Sequence, residues 1–173
     1  MPKSDKKTIG DDERKIIEQL TEDARRSPNE IAKKLGISRQ TVWRIIKKLE
    51  KNNIIWGYTT VIDENIIGYK SYYALLKGKG PMIVESSIAK LNEKSTDKMN
   101  IQLLGCFYVH GAYDWIVIFS AENIMDAKRF CGYMQKEYGA VIDRIDLLEN
   151  VFTLLRFGKV NPDLDKYKEI AAF

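Results

Sequence analysis

Gln40, Arg44, Lys47 and Lys51 recur three and four residues apart, a spacing that places all of them on one face of a helix. Their groups suit nucleic acid. The Arg44 guanidinium can fork onto a guanine edge, the Gln40 amide matches adenine, and lysine ammonium groups meet phosphates, which position a protein without reading sequence. Val42, Ile45, Ile46 and Leu49 form an apolar stripe on the opposite face. The polar face can reach a duplex only if neighbouring elements grip that stripe.

Those elements are legible in the stretch SPNEIAKKLGISRQTVWRIIKKLEK, Ser27 to Lys51. Ser27 is placed as a cap, Pro28 takes the first helical position, and Glu30 stands three residues after the cap, the pattern of a capping box. Gly36 supplies the left-handed backbone that ends this helix after Leu35. Ser38 then caps the second helix, with Ile37 and Val42 spaced to pack together as a hydrophobic staple. Two helices joined by so short a turn predict a helix-turn-helix. Charge on a helix is most often a solvated face, but here it is concentrated. Arg25 to Lys51 holds nine basic residues against Glu30 and Glu50, while the 173-residue chain nets only +4. The remainder is therefore acidic on balance, and the positive field is local, as a nucleic-acid footprint requires. Trp43 falls on the flank between the two faces, where an indole more often packs on its own domain than on DNA.

Hydrophobic residues at 45% and charged residues at 30% give an ordinary globular composition, with length for one large or two small domains. No apolar run approaches the roughly 20 residues that cross a bilayer, and the N-terminus lacks a signal-peptide core. No membrane association and a cytoplasmic location are therefore expected. Cys106 and Cys131 are the only cysteines, too few for a disulfide framework.

Residues 1–8 read as a basic, loose arm. Asp11 or Asp12 opens a first helix carried by Ile16, Ile17, Leu20 and Ala24. Asn52 and Asn53 end the second helix of the motif, and Ile54 to Asp63 is rich enough in β-formers to predict β-structure, a wing or a strand leading onward. After Gly68 the pattern predicts a strand over Lys70–Gly78, a helix over Pro81–Glu93, strands over Ile101–His110 and Trp115–Ser120, a helix over Ile124–Tyr138 closed by Gly139, and a strand over Ile142–Phe157. That order, βαββαβ, is the ferredoxin-like split βαβ arrangement. The fold class is thus α+β. Residues 9–58 form a helix-turn-helix domain, 59–69 a linker strand and connection, 70–158 a ferredoxin-like domain, and 159–173 a tail with a short helix. Tyr72, Tyr73, Leu75, Leu76, Phe152 and Leu154 are candidates for an apolar outer sheet face, best covered by a second copy of the chain.

The strings DERKIIEQL, SPNEIAKKLGIS and RIIKKLEKNNIIWGYTTVID between Asp12 and Gly68, together with LLGCFYVHGAYDWIVIFSAEN from Leu103 to Asn123, resemble the Lrp/AsnC family of bacterial and archaeal transcription regulators. The resemblance spans nearly the whole chain. It implies a winged helix-turn-helix joined by a strand to a ferredoxin-like regulatory domain, dimers formed through the regulatory sheets, frequent assembly into octamers or discs, and amino acids bound between dimers. Carried onto this sequence, it places Ser38, Arg39, Gln40, Thr41 and Arg44 at the start of the recognition helix facing the major groove of double-stranded DNA, with Lys47, Lys48 and Lys51 on phosphates. It also places an effector turn at His110, Gly111, Ala112, Tyr113 and Asp114. Glycine there permits close approach, and Asp114 could answer an ammonium group; the same four residues after His110 also read simply as a hairpin turn. Three features depart from the family pattern: His110 replaces a small hydroxyl residue, the connection Lys94 to Asn100 is longer than usual, and Tyr138–Gly139 stands for a Pro-Gly.

Two other classes compete. Siroheme decarboxylases share this two-domain plan, but they need several imidazole and basic groups around a porphyrin, and His110 is the only histidine. Cys106 and His110, four residues apart on a strand, would sit about 13 Å apart, too far to share one zinc. No nucleophile-elbow glycine pattern accompanies that histidine. A non-enzymatic chain without cofactor or metal is expected. An architectural protein that compacts DNA without an effector would need the same helix and the same assembly surface.

Overall fold

Three helices close on one apolar core in the N-terminal unit: α1 (Asp11–Glu22), α2 (Pro28–Leu35) and α3 (Arg39–Lys51). The computed structural model describes residues 9–79 and 99–170, and the chain divides into two compact units between Val61 and Ile62. The basic arm 1–8, the helix expected over Pro81–Glu93 and most of the Lys94–Asn100 connection lie outside the described residues. The capping box of α2 forms as spaced: Ser27 Oγ accepts from the Glu30 amide at 3.3 Å, and the Ser27 amide donates to Glu30 Oε2 at 2.7 Å. Gly36 ends that helix at φ 68°, in the region where a Cβ is costly. Ile16, Ile31, Val42 and Leu49 are fully buried, with Leu20 and Ile45 beside them. Asn52 caps the C-terminus of α3, and the Ile54 and Ile55 amides both fold back onto the Leu49 carbonyl at 2.9 and 3.3 Å, tucking these two side chains under the core.

The expected β-structure from Ile54 to Asp63, which includes the first part of the 59–69 linker strand, is not a strand. Residues 58–63 join no ladder among the described residues, and Glu64–Ile67 is a single 3-10 turn. β-branched residues favour a pleated surface that has neighbours to pack against, and Val61 and Ile62 are exposed.

In the second unit, β1 (Lys70–Gly78), β2 (Ile101–Tyr108), β3 (Trp115–Ala121) and β4 (Ile142–Glu149) form one sheet in the order β2-β3-β1-β4, with every neighbouring pair antiparallel. This is the strand order of a ferredoxin-like sheet. Helix α4 (Ile124–Tyr138), capped by the Asn123 side chain, lays Ala127, Phe130 and Met134 on one face of it. Tyr72, Ala74, Leu76, Val117 and Phe119 meet α4 there, and Phe119 stands edge-on to Phe130 with centroids 4.8 Å apart. Tyr72 and Leu76 therefore point inward, contrary to the outward assignment. In the run Tyr72-Tyr73-Ala74-Leu75-Leu76 both faces are apolar, so alternation alone could not fix which set is buried. The outer face carries Tyr73 and Leu75, paired in register with Ile118 and Ile116, and continues to Phe107 on β2 and Leu148 on β4.

The last strand also stops earlier than expected. After Glu149 the Asn150 amide turns onto the Ser71 carbonyl at 2.8 Å, and the chain forms a small hairpin, β5 (Leu155–Arg156) with β6 (Lys159–Val160), turning through Phe157 and Gly158 at φ 48° and 75°. Phe152 and Leu154 thus leave the sheet face; Phe152 packs near Tyr167. Arg156 pairs with the buried Glu64 and donates to Ser71 Oγ at 3.2 Å, fixing the hairpin to the start of β1. A short helix, α5 (Asp165–Ile170), follows. Gly139 closes α4 in right-handed conformation at φ −62° rather than through a left-handed cap.

Candidate nucleic-acid interface

Ser38 begins α3 by accepting the Thr41 amide on its Oγ at 3.0 Å, and its hydroxyl also pairs with Thr41 Oγ1 at 2.9 Å. These two hydroxyls, expected at the groove, are thus coupled to each other at the helix entrance. Val42, Ile45 and Leu49 hold the inner face in the core, while Arg39, Gln40, Arg44, Lys47, Lys48 and Lys51 are all exposed. Helix burial therefore aims the polar set outward. Trp43 is 56% exposed on the flank.

The cations are not equivalent. Lys48 Nζ lies 2.6 Å from Glu13 Oε1 of α1, and Lys47 Nζ lies 2.8 Å from Glu50 Oε2 within α3. Outside α3, Arg26 and Lys34 converge on Glu22, and Arg25 pairs with Asp23. Lys33, Arg39, Arg44 and Lys51 have no carboxylate within ion-pair distance among the described residues. Of the nine basic residues, four are thus paired by acidic side chains of α1 and of the turn after it and Lys47 by Glu50 of α3, and three of the four left lie on α3. The carboxylates respond as expected beside cations. Hydrogen bonds from Arg26 and Lys34 hold Glu22 at about 2, and the Lys48 hydrogen bond, with the Gly10 amide, lowers Glu13.

The segment after α3 adds side chains that the sequence reading left unassigned. Trp56 is 93% exposed, yet its ring is fixed: Nε1–H donates to the Asn53 carbonyl at 2.8 Å. Tyr58 donates its hydroxyl to Glu50 Oε1 at 3.1 Å. The Tyr58 hydroxyl is raised by desolvation and by Glu50. The available signal was an isolated tryptophan directly behind the apolar pair that closes the core.

The turn His110–Asp114, in the second unit, is a built corner. His110, Gly111 and Ala112 are exposed, with Gly111 at φ 150°, while Tyr113 and Asp114 are half-buried. Asp114 accepts the Gly78 amide at 2.9 Å and pairs with Lys77 at 3.1 Å, and these two contacts lower its carboxyl in that order. Tyr113 donates to Asp146 at 2.7 Å, Arg144 pairs with the same carboxylate at 3.1 Å, and the Arg144 guanidinium stands 5.4 Å over the Tyr113 ring. Cys106 packs against the helix side of the sheet whereas His110 is exposed in the turn. Burial raises both thiols, Cys131 to about 11. Among the described residues, no helix is long and apolar enough to cross a membrane.

A sequence model of winged helix-turn-helix DNA-binding domains matches residues 13–55. An uncharacterized HTH-type transcriptional regulator of Pyrococcus furiosus is 36% identical over 124 residues, covering 70% of this chain and 78% of that protein. The HTH-type transcriptional regulator LrpA of Pyrococcus horikoshii is 50% identical over 54 residues, 31% of this chain and 38% of that one. Among solved structures, E. coli AsnC superposes with a TM-score of 0.61 at 20% identity, over 86% of this chain and 96% of that one, a likeness of fold.

Proposed function

We propose that this chain, which belongs to the Lrp/AsnC family of helix-turn-helix transcription regulators, reads specific duplex sites as a homodimer by laying α3 in the major groove. The observation that carries this reading is the sorting of α3: its apolar stripe is buried while Arg39, Gln40, Arg44 and Lys51 stand exposed. Arg44 and Gln40 take base edges, with Ser38, Arg39 and Thr41 at the groove entrance. Lys47 and Lys51 take phosphates. Lys47 and Lys48 reach phosphates in competition with Glu50 and Glu13 respectively, each ammonium keeping further donors free.

Dimerisation is assigned to the outer sheet face. Tyr73, Leu75, Phe107, Ile116, Ile118 and Leu148 form two apolar rows there, and Phe107 and Leu148 are 51% and 50% exposed in the single chain. Placing two copies face to face buries both rows at once; further assembly to an octamer would use other surfaces. The turn His110–Asp114 is the candidate amino-acid site. Its exposed Gly111 favours that reading, but Lys77 already occupies part of the Asp114 carboxylate, so a ligand ammonium must share or displace it. A thermal-shift screen of the twenty amino acids, with particle size read in parallel, tests this. Footprinting tests the main reading: short protected palindromes support a regulator, and continuous uniform protection supports an architectural DNA-compacting role.

A further inference from the structure

An indole that is both fixed and almost wholly solvent-exposed requires an explanation. Trp56 has one polar atom, and that atom is committed inward to the Asn53 carbonyl at 2.8 Å. Both ring faces remain in water at 93% exposure, forgoing the burial that makes tryptophan a dominant contact residue. The two isoleucines before it are tucked against the helical core, so the backbone carrying the ring is anchored. Trp56 shares a cleft with Glu50, Asn53, Ile55, Gly57 and Tyr58. Glu50, in turn, holds Lys47 of the cationic face on one carboxylate oxygen and Tyr58 on the other. The ring therefore shares its cleft with the carboxylate that holds Lys47 of the cationic face. The adjacent carboxylate, which would repel phosphate, is already engaged by Lys47 and Tyr58.

We propose that Trp56 is a DNA-contacting residue, its ring lying against the deoxyribose edge of the strand that flanks the groove entered by α3. Continuity with the cationic helix identifies the occupant as the duplex rather than a protein. The contact is apolar, so it adds affinity without releasing counterions and without choosing a base. This inference rests on the DNA-binding reading of α3.

The test measures anisotropy of a labelled duplex across a salt series with the full chain, its Trp56→Ala and Trp56→Phe variants, and Lys51→Ala as contrast. Trp56→Ala weakens binding about tenfold, the scale of one lost aromatic contact, with the salt slope and the particle size unchanged, and Trp56→Phe keeps most of the affinity. Lys51→Ala instead reduces the salt slope by about one for each subunit bound. A Trp56→Ala protein that binds within about twofold of wild type overturns the contact while leaving the regulator reading intact. A fall to monomer in Trp56→Ala also overturns it, because the ring would then serve a second copy. If the wild-type chain binds no duplex at low salt, both readings fail together.

Discussion

Lys48 Nζ and Glu13 Oε1 lie 2.6 Å apart, so the recognition helix is tied to α1 through one of the cations that its own charge pattern would aim at phosphate. Glu13 also holds the Gly10 amide at 3.0 Å, which makes it part of the start of α1. Lys48→Ala should cost less DNA affinity than Lys51→Ala, because Lys51 has no carboxylate to leave among the described residues. Glu13→Gln should raise affinity at low salt by removing a competitor, while lowering the thermal midpoint. Anisotropy titrations alongside thermal melts of the three variants check both statements.

Arg44 and Lys51 differ in kind. Arg44→Ala should flatten base preference in a selection from randomised duplexes, because a bidentate base contact is worth about 1–3 kcal/mol of discrimination. Lys51→Ala should weaken all sequences alike.

Glu22 sets an acid limit on the N-terminal unit. Its folded value of about 2 lies below the ordinary 4.5, held down by Arg26 and Lys34. A lowered carboxyl contributes stability that is fully present above its unfolded value and is lost as pH falls through the folded one. Thermal midpoints should therefore decline between about pH 4.5 and 2, and Glu22→Gln should shrink that decline. Glu22 and Lys34 are exposed, so the effect is screened by salt.

The two sheet faces give opposite outcomes. Phe119→Ala, on the buried face against Phe130, should destabilise the second unit by about 3–5 kcal/mol in denaturant melts. Ile116→Asp, on the outer face, should leave the fold in place and shift the particle from dimer to monomer by light scattering.

Much of this architecture was legible because its signals are local. The cap, proline and acidic residue of SPNE specify the start of α2 within four residues, Gly36 specifies its end, and the positions of the strands along the chain follow from runs of β-formers. Longer-range relations were not legible. Glu13 stands 35 residues from Lys48, so the neutralised part of the basic run could not be seen by counting charge within it. Val61 and Ile62 have strand propensity but pair with no strand among the described residues, and Tyr72 and Tyr73 are both apolar, so packing against α4, not alternation, shows which is inside. Trp56 carries no signal of its exposure, because an exposed indole and a buried one look alike in a sequence.

DNA binding by this chain depends on the outward face of α3. The direct measurement is binding of a labelled duplex, from low to moderate salt, to the wild-type chain and to a variant carrying Arg39→Ala, Arg44→Ala and Lys51→Ala, with the fold of each followed by circular dichroism. Wild type should bind tightly and with strong salt sensitivity, and the variant should fold alike but lose affinity, with a smaller salt slope from the lost Lys51 phosphate contacts. Equal binding by both proteins, or no binding by the wild type at low salt, would contradict it.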